Sequence, residues 1–61
     1  SYWLGLVLMN QGVVALGVGQ RALGEAALRE CLVQMTATTG PANLISAEAR
    51  QALDALATVG R

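Results

Sequence analysis

From Tyr2 to Gly19 the chain reads YWLGLVLMNQGVVALGVG, a run without a single charge. Leu4, Leu6, Val7, Leu8, Met9, Val13, Val14 and Leu16 would cover nearly the whole circumference of a helix, so no single apolar stripe stands out. A β-hairpin turning at Asn10–Gln11–Gly12 would make strands of residues 4–9 and 13–18. Neither arm alternates apolar with polar, so both would need cover on two faces, which the remainder of the chain cannot supply. The pattern therefore predicts a helix over about residues 2–18. Its glycines are the objection, because Gly inside a helix costs about 1 kcal/mol against Ala. Their placement answers it: Gly5, Gly12 and Gly19 recur every seven residues, with Ala15 on the same side. Together they form a seam of small residues against which another helix can lie closely. Such a helix is expected to be wrapped by protein over most of its surface.

The middle run, RALGEAALRECLVQM, puts Leu28, Cys31, Leu32 and Met35 on one stripe, extended backwards by Gly24 and Ala27. Arg21, Glu25 and Arg29 follow at i, i+4 on another face, where Glu25 before Arg29 is the favourable order. A helix over about 21–37 is predicted, fading through the threonines before Gly40–Pro41. In the last run Ala49, Ala52, Leu53, Leu56 and Val59 recur at helical spacing. Ser46 is a candidate N-cap with Glu48 in the first turn, Arg50 can pair with Asp54, and Gly60 is a plausible stop. A third helix over about 46–59 follows. The expected fold is all-α: a helical hairpin plus a third helix, repeat-like or a three-helix arrangement, within one small domain or fragment spanning residues 1–61.

Composition narrows what such a fold can do. A chain of 61 residues buries only about 60% of the surface its unfolded form exposes, so a core this small is usually helped by disulfides, metals or partners. One cysteine excludes an internal disulfide, and the absence of histidine leaves a poor ligand set for zinc. No metal or other cofactor is expected. With 54% hydrophobic residues, the remaining help is a protein partner or self-association. An initial Ser in place of Met fits a piece of a longer chain. Four arginines balance four acidic residues, so nothing attracts a phosphate backbone, and no nucleic-acid role is expected. A lone thiol fits a reducing, cytoplasmic setting. The alternative from a different class is a small membrane protein with residues 2–19 as its span. Eighteen residues would rise about 27 Å, with Tyr2 and Trp3 at an interface. Against it, adjacent Asn10 and Gln11 would lie at mid-depth and basic flanks are missing.

Candidate chemistry is sparse. Cys31 lies on the apolar stripe without a histidine to activate it, which reads as a small buried hydrophobe. Glu25, Glu30, Glu48 and Asp54 are scattered among arginines and read as solvated ion pairs, so no catalytic residues are assigned. GVGQRALG has the glycines of a phosphate loop but not its lysine. The polar pair worth following is Asn10 and Gln11, either filling a gap between helices by hydrogen bonding or contacting a ligand.

The intervals of LMNQGVVALGVGQ and GEAALRECL resemble a tetratricopeptide-like helical repeat, in the loose variety of LuxR-type transcriptional regulators, over residues 8–35. Leu8, Asn10, Gly12, Ala15 and Gly19 match its first helix, and Gly24, Leu28, Glu30, Cys31 and Leu32 its second. Gln11 stands where the family prefers leucine, Arg21 where it prefers an aromatic, and Thr36 where proline often closes the repeat. The resemblance implies two antiparallel helices packed through small residues, with Gly19 opening the turn. It also implies that Asn10 lines a concave face and can hold the backbone of a bound peptide. LATVGR at 56–61 echoes ALGVGQ at 15–20, so residues 46–61 are either the first helix of a following repeat or a closing third helix. The role expected is a non-catalytic helical module for protein–protein interaction or self-association.

Overall fold

The computed structural model describes residues 2–39 and 44–59. Three helices account for nearly all of them: α1 (Tyr2–Gly17), α2 (Arg21–Thr39) and α3 (Leu44–Val59). No strand occurs among the described residues. The first run is helical, as its lack of alternation requires.

The turn between α1 and α2 is set by local backbone chemistry. Gly19 adopts φ +82°, a left-handed conformation that costs glycine nothing and other residues dearly. Its N–H donates to the carbonyl of Leu16 at 3.2 Å, and the N–H of Gln20 donates to that of Ala15 at 2.8 Å. This pair of bonds is the Schellman arrangement, which satisfies orphan carbonyls at a helix end. Gln20 in turn accepts from the N–H of Gly24 at 2.9 Å, opening α2 one residue after closing α1. Gly19 therefore does not belong to the packing seam predicted for it. The seven-residue spacing runs past the end of the helix, where a reversal of the chain overrides it.

Helix limits elsewhere shift by a few residues. α2 continues through the threonines to Thr39, since each added residue gains one hydrogen bond once a helix exists. α3 begins at Leu44, before the expected start. Ser46 is thus inside the helix and fully buried, with a hydroxyl that finds no hydrogen-bond partner among the described residues. It does not act as the predicted cap. The expected breaks at Gly40–Pro41 and Gly60 lie outside the described residues.

The helices run antiparallel in succession. Gly5 lies against Met35, Gly12 against Leu28, and Leu16 against Gly24, which fixes the register of α1 on α2. The Arg21 guanidinium at the start of α2 donates to the carbonyl of Leu56 near the end of α3 at 2.6 Å, which sets the direction of α3. Leu28, Cys31, Met35 and Ala49 are fully buried. Leu8, Met9, Leu16, Leu32, Ile45, Ala52, Leu53 and Leu56 close around them. α3 packs chiefly on α2 and touches α1 only slightly.

Candidate functional site

The close approach of α1 and α2 rests on three glycines. A Cβ on Gly12 would lie 2.8 Å from Cγ of Leu28 and 3.3 Å from the carbonyl oxygen of Gly24. A Cβ on Gly24 would lie 2.8 Å from Cγ of Leu16 and 3.0 Å from the carbonyl oxygen of Gly12. At Gly5 the neighbour is the thioether of Met35, whose Cγ would stand 2.7 Å away. Gly5, Gly12 and Ala15 are buried, as the seam requires. The fourth member is Gly24 of α2 rather than Gly19. The signal in the sequence was its small size on the α2 stripe, but only the register of the pair places it opposite Gly12.

At one end of the seam the Cys31 thiol donates to the carbonyl of Gly5 at 3.2 Å. Burial pushes this thiol above its ordinary value, because the thiolate would lose hydration without gaining a partner charge. The group is a packing element joined by a weak hydrogen bond, in keeping with its place on the apolar stripe. Among the described residues no three Cys, Asp or Glu side chains come together. The charges that do pair lie along α2: Arg29 meets Glu25 at 2.7 Å, while Gln34 donates to Glu30 at 3.0 Å. Arg50 and Asp54 form no ion pair among the described residues; the carbonyl of Asp54 accepts from the Thr58 hydroxyl instead.

Much of the rest of the α1 surface is exposed among the described residues. Among the described residues α2 is its one extensive neighbour, so the expected wrapping is not reached within them. Tyr2, Trp3, Leu4, Val7, Val13, Val14 and Val18 are exposed. Of these, Leu4, Val7, Val14 and Val18, with Gln11 between them, fall at alternating intervals of three and four residues. That is the spacing of one straight line along a helix used for pairing with another. Beside the line runs a groove of about 520 Å³ between α1 and α2, lined by Asn10, Gln11, Val14, Val18, Leu23 and Ala27 among others. No residue of α3 lines it.

Asn10 and Gln11 are both exposed at this groove, with side chains hydrogen-bonded to no other described residue. Neither fills a gap between α1 and α2. Chemically, the surface offers aliphatic contact area edged by amides that both donate and accept. Among the described residues no helix is long and apolar enough to cross a membrane. Closure at Gly17 leaves α1 with 16 residues, a rise of about 24 Å against a hydrocarbon thickness of about 30 Å. Compared with known proteins, the chain matches no family model, no curated protein and no solved structure.

Proposed function

We propose that the chain is a non-catalytic helical interaction module, which docks a protein partner or a further copy through the outer line of α1 and the adjoining groove. One observation carries the reading. The longest charge-free segment of the chain presents Leu4, Val7, Val14 and Val18 to solvent along one line. Its buried strip consists mainly of Gly5, Gly12 and Ala15. Exposed apolar surface that is contiguous, rather than scattered, is the usual mark of a docking site.

The tetratricopeptide-like reading belongs with this proposal. An antiparallel pair joined through small residues and followed by a helix laid on α2 is compatible with one repeat and the opening helix of the next. In that arrangement the bare side of α1 is where a neighbouring helical unit would stack.

A photo-cross-linking residue at Val14, compared with one at the exposed Gln51 of α3, tests the proposal in cells making the protein. Adducts to any protein, including the chain itself, should form at position 14 and be scarce at position 51. Equal yields at both positions, or none at 14 while circular dichroism shows an intact fold, would refute the interaction reading.

A further inference from the structure

We propose that the occupant of this face is a second copy of the same chain, in a two-fold dimer where Gln11 of both copies meets at the axis. This rests on the interaction reading and names its partner. Three observations select a copy over a protein of different chemistry.

The first is area. Leu4, Val7, Val14, Val18 and Leu23 are 43%, 51%, 57%, 69% and 63% exposed. Those fractions leave on the order of 500 Å² of accessible surface on these residues of each copy, so their complete covering would bury up to about 1,000 Å² over a pair, the threshold for a specific interface. Asn10, Gln11, Gln20 and Ala27 adjoin the same patch and carry it toward the ~800 Å² per partner of a stable dimer. The groove beside the line gives the aliphatic side chains of the other copy somewhere to enter.

The second is charge. Every charged residue lies from Arg21 onward, so the patch from Leu4 to Val18 holds none. An acidic or basic partner would find no counter-charge there, whereas two such faces meet without stripping water from an ion. The whole chain also has zero formal net charge, so copies approach without mutual repulsion.

The third is the chemistry of the amides. A two-fold interface must be complementary to itself, each residue facing the same set of residues. A carboxylate or guanidinium at the centre would meet its own charge. Gln11, which carries both donor and acceptor, can bond to its own copy, as a polar side chain within an otherwise apolar pairing line does when it fixes register.

Sedimentation equilibrium of the 61-residue chain from about 1 µM to 1 mM reads the outcome, the span expected for an interface at the small end of the specific range. The mass should rise from 6.3 kDa toward double. Val14→Asp, at an exposed position, should remain monomeric throughout with unchanged circular dichroism. Gln11→Cys should form an inter-chain disulfide under diamide markedly faster than Gln51→Cys, the buried Cys31 being common to both. A wild-type chain that stays monomeric overturns the proposal, as does a dimer that survives Val14→Asp or cross-links no faster at position 11. A monomer that still gives adducts to another protein at Val14 overturns the second copy but leaves the interaction reading standing. Neither dimer nor adduct removes both.

Discussion

The same substitution, Gly to Ala, is expected to have opposite signs at two positions, and the difference measures how closely α1 and α2 approach. In a helix interior Ala is favoured over Gly by about 1 kcal/mol. Gly17 is the last residue of α1 and has nothing within 4 Å of a Cβ built on it. Its φ is not positive, so Gly17→Ala should gain about 0.5–1 kcal/mol, reduced slightly by its place at the helix end. Gly24→Ala receives the same propensity gain but meets a wall. Its new methyl would stand 2.8 Å from two carbons of Leu16 and 3.0 Å from the backbone oxygen of Gly12. Leu16 can swing partly aside, but the backbone oxygen moves only with the helix. Overpacking of this kind costs about 1–3 kcal/mol, giving a net loss of about 1 kcal/mol. The two variants should therefore differ by about 2 kcal/mol, or about 8–16 °C in Tm for a domain of this size. Thermal and urea unfolding followed by circular dichroism, at one fixed protein concentration so that any self-association cancels, gives the comparison. Gly24→Ala proving as stabilising as Gly17→Ala would mean that the helices stand further apart than described, and the seam would fail with it.

Ser46→Ala should raise stability by about 1 kcal/mol, since it removes a buried hydroxyl without a partner. A capping role would make the same change cost about 1 kcal/mol, so the sign in a urea titration decides. The Cys31 thiol should react with a maleimide only as fast as the chain opens. Its raised pKa also means that the unfolded thiol ionises first. Stability is thus unaffected by this group below the ordinary value near 9.0 and falls as pH climbs above it; Cys31→Ser should flatten that alkaline slope in urea midpoints. Arg21→Ala should cost about 1 kcal/mol through the lost bond to the carbonyl of Leu56. Hydrogen exchange should then quicken in the last turns of α3 and leave α1 unchanged.

The helices could be read along the chain because each depends on neighbours within a few residues. Residues 2–18 lack alternation, and Ala49, Leu53 and Leu56 mark one face of the last run. The period of seven likewise singled out Gly5 and Gly12 with Ala15, and all three are buried. The period failed at Gly19, where φ +82° and two backbone bonds end the helix. Nothing in the spacing tells a seam glycine from a turn glycine when both keep the same interval. Ser46 followed the pattern of a cap, yet α3 starts before it and presses it into the core.

Gly24 opposite Gly12, the thiol of Cys31 on the carbonyl of Gly5, and the bare line from Leu4 to Val18 are of another kind. Each depends on register between segments distant in the chain, to within a fraction of an ångström for the glycines. Leu16 and Leu4 look alike in a list of apolar residues, but one packs against the core and the other faces water. Propensity and periodicity act over a helical turn and leave their record in the order of residues. Close packing and exposure depend on where the other helices come to rest, and α3 rests mainly on α2, so among the described residues much of α1 is left exposed.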